Sequence, residues 1–248
     1  MRRVAATRYV TPLREGGSLP ALVEANDDGL YVLKFHGAGQ GPKALVAEVV
    51  VGELARALGF PVPELVLVEL DPFIGRAEPD PEIQDLLLAS GGLNLGVDFL
   101  PGALPFSPAA GPAPEASFAA DAVWLDALVT NVDRTAQNPN LLWWHGSLWL
   151  IDHGAALYFH HAAEPSPEHA RGAFEAVRDH VLLPYASSIE AADVRLAPRL
   201  SDEALGLAAS EVPDEWLERE GREVYVDYLL RRLEEPRTFV AEAERARG

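Results

Sequence analysis

The hydrophobic and polar positions of the first hundred residues predict short strands around one long helix. Alternating or β-branched stretches predict strands at Thr7–Leu13, Leu22–Ala25, Leu30–Phe35, Glu64–Leu70 and Leu93–Leu100. Apolar residues recur at helical spacing from Pro42 to about Leu58, and Gly59 is expected to end the helix. A shorter helix is predicted over Asp80–Ala89. The first part of the chain is therefore expected to be rich in β-structure.

The pattern becomes mainly helical after a proline-rich segment. Five prolines in residues 101–114 make this segment the strongest linker candidate in the chain. Apolar residues at helical spacing predict a helix over Glu115–Thr130, and helices interrupted by prolines are expected over Ser166–Gly248. Two short strands lie between them, at Asn140–Trp144 and Ser147–Asp152. The pattern thus predicts an α+β protein with an N-terminal domain over residues 1–100 and a C-terminal domain over residues 101–248.

Composition and charge exclude several classes of function. The 248 residues are 48% hydrophobic, so a folded core is expected. Lys and Arg total 20 against 38 Asp and Glu, which gives a net charge of −18 and argues against nucleic acid or a membrane as the main partner. The absence of cysteine excludes disulfides, thiolate metal sites and cysteine nucleophiles. Because no apolar segment opens the chain, a cytoplasmic protein is expected.

Two carboxylates and one amide stand on two segments separated by the predicted hairpin. Phosphoryl transfer from a nucleotide needs a carboxylate that orients the attacking hydroxyl and accepts its proton, and oxygen ligands that hold Mg²⁺ on the phosphates. Asp133 and Asn138 have the D-x-x-x-x-N spacing of kinase catalytic loops, and Asp152-His153-Gly154 stands where D-F-G is found. Ordinary turns are the alternative explanation, because Asn and Asp are common in turns for local reasons.

The N-terminal part supplies candidates for binding phosphates. Lys34 lies on a predicted strand between apolar residues, like the strand lysine of kinases that contacts nucleotide phosphates and pairs with a helix glutamate. An outward-facing surface lysine is the alternative. Glu48 and Glu53 are the candidate partners on the following helix, and Glu48 is preferred because it is nearer the helix start. Gly16-Gly17-Ser18 is the candidate loop over the phosphates, and an ordinary hairpin turn explains it equally well.

Two other patterns imitate binding sites. Gly37–Lys43 is similar to a P-loop, but Pro42 interrupts the Gly-Lys pair and Ala44 replaces the hydroxyl that binds Mg²⁺. A metal cluster is suggested by His153, His160, His161 and Glu164. Their spacing fits no zinc signature, and adjacent histidines in a strand point to opposite faces, so a solvated loop is expected instead. Neither pattern changes the candidate site.

Together the candidate segments resemble the HipA-like kinases, which share a distant kinase-type bilobal fold with the phosphatidylinositol kinases. The matching segments are Gly16–Pro20, Leu33–Phe35, Ala47–Glu48 with Leu54–Pro63, Asn131–Arg134 with Asn138, and Ile151–Gly154. They occur in the family's order. The resemblance implies an α+β, bilobal protein-kinase-like fold, with a β-rich N-lobe that holds one long helix and an α-rich C-lobe.

The resemblance also implies a role for each catalytic candidate. Asp133 would be the catalytic base, and Asn138 and Asp152 would be the Mg²⁺ ligands. Lys34 would hold the phosphates of ATP, and Glu48 would position Lys34. Lys34 and the three oxygen-bearing side chains would then meet around one triphosphate.

Further parts of a nucleotide site are implied in the same way. Gly16, Gly17 and Ser18 would cover the triphosphate. The hinge beside the adenine would consist of Val97, Asp98, Phe99 and Leu100. Two positions depart from the family pattern: Thr135 stands where a histidine often follows Asp-Arg, and His153 replaces the aromatic residue of D-F-G.

The expected function is an ATP- and Mg²⁺-dependent phosphotransferase that acts on a hydroxyl. A protein Ser/Thr kinase is the leading form, and a kinase for small molecules shares the same chemistry. The rival hypothesis is a kinase-fold protein that binds a nucleotide or a partner without catalysis. The acceptor is not specified by any motif, and a regulatory, antitoxin-like partner is left open. Toxin activity is not carried over, because the chain lacks room for the extra N-terminal domain of the toxin HipA.

Overall fold

The computed structural model describes residues 1–13, 19–39, 41–76, 78–162, 170–217 and 221–248. Contacts divide the chain into two compact units. The first unit comprises residues 1–46 and 63–101, and the second comprises residues 47–62 and 102–248. Strands and helices are both present, which confirms the α+β class.

Five strands of the first unit form a closed barrel in the order β1-β2-β3-β5-β4. They are β1 (Arg3–Pro12), β2 (Ala21–Ala25), β3 (Leu30–Lys34), β4 (Leu65–Leu70) and β5 (Gly92–Asp98). β1 and β4 are parallel, and the other four neighbouring pairs are antiparallel. Val23 and Leu33 are fully buried, because alternate side chains of a strand share one face and here that face is the barrel interior. The five predicted strands are confirmed, but β1 begins at Arg3 rather than at Thr7, and β5 ends at Asp98 rather than at Leu100.

Gly96 on β5 gives two valines room inside the barrel. A Cβ atom at this position would lie 2.6 Å from Val68 Cγ2 and 2.8 Å from Val66 Cγ2. Gly96→Ala is therefore expected to lower the free energy of unfolding by about 1–3 kcal/mol, because overpacking forces side chains and backbone to shift. Urea unfolding followed by circular dichroism measures the loss. Gly39→Ala is the control, since a Cβ atom there meets nothing within 4 Å. Equal stability of the two variants would contradict the expectation.

The long helix α1 (Pro42–Leu58) begins in the first unit and continues in the second. Residues 45–52 are all buried, so the helix is buried on all sides for about two turns rather than amphipathic along its whole length. Gly59 has a φ of 88° and ends the helix. Arg199 donates hydrogen bonds to the last two carbonyl oxygens of the helix, at 2.8 and 2.9 Å. These contacts satisfy acceptors that a helix end leaves unpaired.

Helices make up most of the second unit. They are α3 (Ala116–Leu128), α4 (Ile189–Leu196), α5 (Asp202–Ser210), α6 (Glu223–Leu233) and α7 (Thr238–Arg247), while α2 (Pro81–Ala89) belongs to the first unit. A three-stranded sheet joins β6 (Leu104–Pro105), β7 (Leu141–Trp144) and β8 (Ser147–Leu150). In the described part of the chain, no helix combines the length and the apolar character needed to cross a membrane.

Two segments differ from the expectations of the sequence. The proline-rich segment contains β6, which pairs with β7, because Pro105 can occupy an edge strand where no N–H donor is needed. Within residues 170–188 the structure has 3-10 helices at Glu175–Asp179 and Leu183–Tyr185, and the first α-helix after residue 170 begins at Ile189. Pro184 lies in the first turn of the second 3-10 helix, a position where its missing N–H donor leaves no backbone hydrogen bond unmade.

The expectation for the two adjacent histidines was wrong. Tyr158–His161 forms a 3-10 helix rather than a strand or an open loop, and the Nε2 atoms of His160 and His161 lie 3.1 Å apart. The two rings therefore converge, because consecutive residues of a tight helix are not directed to opposite faces as in a strand. Glu164, the other neighbouring candidate, lies outside the described residues. Among the described residues, no group of three or more His, Cys, Asp or Glu side chains could hold a metal ion.

Candidate active site

Asp133 lies in the loop after α3, and two side-chain amides hold its carboxylate. Asn138 Nδ2 donates a hydrogen bond to Asp133 Oδ2 at 2.6 Å, and Asn140 Nδ2 donates to the same oxygen at 3.2 Å. The backbone N–H of Asp133 donates to Asn131 Oδ1 at 3.2 Å. Asp133 is half-buried. The carboxylate is thus fixed in direction and still open to a reacting group.

The backbone of this loop folds tightly on itself. Asn131 N–H donates to the carbonyl oxygen of Asp126 at 2.9 Å, so the chain turns directly after the helix. Thr135 N–H lies 2.9 Å from the carbonyl oxygen of Asp133 and 3.1 Å from that of Asn138. Short Asn and Asp side chains favour such turns because they bond neighbouring backbone groups. The turn chemistry considered as an alternative is therefore present, and it is the means by which Asp133 is oriented.

Arg134 joins this loop to the segment that carries Asp152. Its side chain is fully buried, Nη1 donates to the carbonyl oxygen of Ile151 at 3.1 Å, and Nη2 lies 3.2 Å from His153 Nδ1. Ile151 and His153 are the two neighbours of Asp152 in sequence, and Arg134 is the neighbour of Asp133. One guanidinium group therefore brings the two acidic segments together. Asp152 has a φ of 54°, a conformation that costs energy for a residue with a side chain and is often found at active sites.

Asp126 on α3 is the buried acceptor beneath the loop. Its carboxylate accepts hydrogen bonds from Asn131 Nδ2 at 3.0 Å, from Arg134 Nε, and from His180 Nε2 at 2.9 Å. Burial by itself would raise the pKa of the Asp126 carboxyl, but the positive charge of Arg134 and the hydrogen bonds outweigh burial and lower this pKa well below its ordinary value. Asp126 is therefore ionised at neutral pH, and the pair with Arg134 is a buried salt bridge.

Glu48 on α1 contacts the second acidic segment. It is 2% exposed, and its Oε1 accepts a hydrogen bond from the backbone N–H of Gly154 at 3.1 Å. Glu53, the other candidate on this helix, is more exposed and forms an ion pair with Arg56 at 3.5 Å. The structure therefore places Glu48, and not Glu53, beside the Asp152-His153-Gly154 segment.

The remaining candidates lie in the first unit or outside the described residues. Lys34 is half-buried on β3, opposite Leu95 of β5. At the end of β5, Asp98 N–H donates to the carbonyl oxygen of Glu64 at 2.9 Å, and Phe99 N–H donates to that of Leu30 at 3.0 Å. Burial and the neighbouring charge of Glu64 raise the pKa of the Asp98 carboxyl. Val97 and Leu100 are buried beside them. Gly16, Gly17 and Ser18 fall outside the described residues.

The oxygen donors of the second unit suit a hard cation. Asn138 directs Nδ2 toward Asp133, so Oδ1 is the atom it would offer to a metal. Asp152 would add a carboxylate. Mg²⁺ prefers few protein oxygens and completes its shell with water and phosphate oxygens, so a site with an amide and a carboxylate fits it chemically.

Comparison with known proteins assigns the chain to a family. The family model for HipA-like kinases matches residues 7–238, which is nearly the whole chain. The chain belongs to the HipA-like kinase family. The family assignment confirms the resemblance drawn from the sequence motifs. A comparison with curated proteins found no match.

Solved structures with the same fold are also kinases. The chain is similar to the Helicobacter pylori proinflammatory kinase CtkA, with a TM-score of 0.58, 14% identity and 98% of each chain covered. It is similar to the Golgi casein kinase, with a TM-score of 0.51, 12% identity, and 99% of this chain and 74% of that chain covered. A structure of the Golgi casein kinase with Mn/ADP bound gives a TM-score of 0.56, 11% identity and the same coverage. These likenesses confirm the kinase-like fold of this HipA-like kinase.

Sequence reasoning missed the buried partners of the loop that carries Asp133. Asp126 carried a signal, because it is a carboxylate within an otherwise apolar helix turn between Leu125 and Leu128. His180 carried none, since it lies 54 residues from Asp126 in a segment without a periodic pattern. Only the folded chain shows that these two side chains meet.

Proposed function

We propose that this HipA-like kinase transfers the γ-phosphate of ATP to a hydroxyl group in a Mg²⁺-dependent reaction. One observation carries the proposal: Asp133 is held by two amides, and the adjacent Arg134 binds both neighbours of Asp152. A base and a metal-binding carboxylate on segments joined in this way are what phosphoryl transfer requires. The Mn/ADP bound to the Golgi casein kinase supports nucleotide and divalent metal as the ligands of this fold.

Each side chain has a proposed part in the reaction. Asp133 orients the acceptor hydroxyl and accepts its proton, and its two amide partners keep one oxygen turned away so that the other faces the hydroxyl. Asn138 and Asp152 are the residues that would hold Mg²⁺, which neutralises charge on the phosphates when it is bound. Lys34 binds the phosphates, and Glu48 positions Lys34 while it fixes the segment at Gly154.

The nucleotide would be enclosed by the first unit. Gly16, Gly17 and Ser18 are the proposed cover over the triphosphate. The segment at Val97, Asp98, Phe99 and Leu100 is the proposed hinge beside the adenine. The division into an N-terminal domain over residues 1–100 and a C-terminal domain over residues 101–248 stays a proposal of the same kind.

A protein Ser or Thr hydroxyl is the proposed acceptor. A groove of about 600 Å³ lies beside the proposed catalytic loop in the second unit, and its lining includes Thr135, Gln137, Arg178 and Tyr185. Exposed residues form much of the lining, and an open groove of that kind suits a polypeptide segment better than an enclosed small molecule. A regulatory, antitoxin-like partner remains a separate prediction.

Asp152→Asn tests the metal-dependent part of the proposal. The melting temperature of the wild type is expected to rise with millimolar ATP and to rise further when Mg²⁺ is added, because a ligand that binds only the folded state stabilises it. The variant should lose the increment due to Mg²⁺. Asp227→Asn removes the same charge at an exposed position on α6 and should keep the increment.

Three results would decide against the proposal in different ways. A wild type that ATP does not stabilise would remove nucleotide binding itself. A wild type that binds ATP and Mg²⁺ but never releases ADP or transfers phosphate would identify a binding protein without catalysis. An Asp152→Asn variant that keeps its response to Mg²⁺ would remove Asp152 from the metal site.

A further inference from the structure

His180 has partners for both nitrogens of its ring. Its side chain is 2% exposed and lies just after the 3-10 helix Glu175–Asp179 of the second unit. Leu182 N–H donates to His180 Nδ1 at 3.0 Å, and His180 Nε2 lies 2.9 Å from Asp126 Oδ2. Because Nδ1 accepts a hydrogen bond, the ring proton is on Nε2 and is donated to Asp126.

Asp126 connects this histidine to the catalytic loop. The same carboxylate accepts hydrogen bonds from Asn131 Nδ2 and from Arg134 Nε. Asn131 Oδ1 accepts the backbone N–H of Asp133, and Arg134 contacts the residues on both sides of Asp152. A rotation of the Asp126 carboxylate would therefore disturb the supports of both acidic residues.

The backbone forms a second link between the same two segments. Val181 N–H donates to the carbonyl oxygen of Arg134 at 3.0 Å, and Thr135 and His180 form an isolated antiparallel bridge. Thr135 and His180 also lie on the groove proposed for the acceptor. The segment around His180 thus adjoins the catalytic loop on one side and the groove on the other.

We propose that His180 is a positioning residue for phosphoryl transfer. It donates to Asp126, which fixes Asn131 and Arg134 and through them the direction of the Asp133 carboxylate. His180 is buried against Asp126 at the edge of the groove, and the effect assigned to it here is on the loop and not on the acceptor. The inference rests on the proposed function. It adds that phosphoryl transfer at the full rate also needs His180, a residue outside both the Asp133–Asn138 motif and the proposed nucleotide site.

Two amide substitutions separate the two hydrogen bonds of the ring. His180→Gln places an N–H donor near the position of Nε2 and keeps the contact with Asp126. His180→Asn places an acceptor near the position of Nδ1 and keeps only the contact with Leu182 N–H. The two variants match in charge and polarity, and thermal unfolding verifies that both are folded.

Release of ADP from ATP and Mg²⁺ by the full chain is the first readout. The Asn variant is expected to lose about 10- to 100-fold in kcat with an unchanged KM for ATP, because small displacements of a catalytic group cost rate rather than nucleotide affinity. The Gln variant should stay near the wild type. Hydrogen–deuterium exchange of residues 131–138 is the second readout, and it should become faster in the Asn variant alone.

Other outcomes would contradict either the positioning role of His180 or the proposed function. Equal turnover in the two variants, or a larger loss in the Gln variant, would overturn the positioning role and leave His180 as part of the local turn at Leu182. If the wild type releases no ADP, the proposed function fails, and the exchange data still decide the inference. Unchanged exchange of residues 131–138 in the Asn variant would then overturn it.

Discussion

Asp133→Ala is expected to lower ATP-dependent phosphotransfer by about 10²- to 10⁴-fold while the protein remains folded and binds nucleotide. The carboxylate is the proposed proton acceptor, and alanine leaves no group that can replace it. The two amides that now donate to Asp133 Oδ2 belong to residues that solvent reaches, so they can bond to water in the variant and the stability should change little. Single-turnover measurement of γ-phosphate loss from ATP, together with the melting temperature, checks both parts.

Asp227→Ala serves as the control for this experiment. It removes an exposed carboxylate from α6 and should leave turnover at the wild-type level. A variant at Asp133 that keeps most of the wild-type turnover would contradict its role as the base. Loss of nucleotide binding together with turnover would instead indicate damage to the site as a whole.

Asp126→Ala is expected to lower the free energy of unfolding by about 3–5 kcal/mol. The change leaves the guanidinium of Arg134 buried without its carboxylate, and removal of one partner from a buried ion pair has a cost of this size. It also removes the acceptor for Asn131 Nδ2 and His180 Nε2. The midpoint and slope of urea unfolding at neutral pH measure the loss.

Asp121→Ala on the same helix is the matched control. Asp121 forms an ion pair with Arg195, whose side chain is 46% exposed, and pairs that solvent reaches contribute at most about 1 kcal/mol. The comparison therefore separates burial from the mere presence of a salt bridge. Similar losses in the two variants would show that the network around Asp126 does not stabilise the second unit.

Because the pKa of the Asp126 carboxyl is lowered in the folded state, its contribution to the free energy of unfolding should decrease as the pH falls. The pKa of this carboxyl is lower in the folded state than in the unfolded chain, where it is near 3.9. Its contribution to stability is then fully present above that ordinary value and is lost as the pH falls toward the folded-state pKa. Urea unfolding of wild type and Asp126→Ala should accordingly converge as the pH is lowered below about 4. A gap that stays constant down to the acid limit would contradict the shift.

Much of the secondary structure was predictable because it depends on neighbouring residues. The strands at Leu22–Ala25 and Leu30–Phe35 were predictable from the alternation of apolar and polar residues. The end of the long helix was predictable from the glycine that follows Leu58. The short strand at Leu104 was not predictable, since two residues beside prolines carry no period and the strand exists only because β7 lies next to it. The convergence of His160 and His161 was misjudged for a related reason, because the rings' directions depend on a 3-10 turn that the sequence did not indicate.

By itself the sequence determined the family of this protein and the chemistry available to it. Spacing made Asp133, Asn138 and Asp152 the candidates for the site, because kinase catalytic loops carry fixed residue types at fixed intervals, and their roles stay a proposal. Their supports were decided by tertiary structure. Asp126 and His180 are 54 residues apart in sequence, so no local pattern could reveal their contact. Both side chains are buried, and a hydrogen bond is stronger where the surroundings are less polar than water.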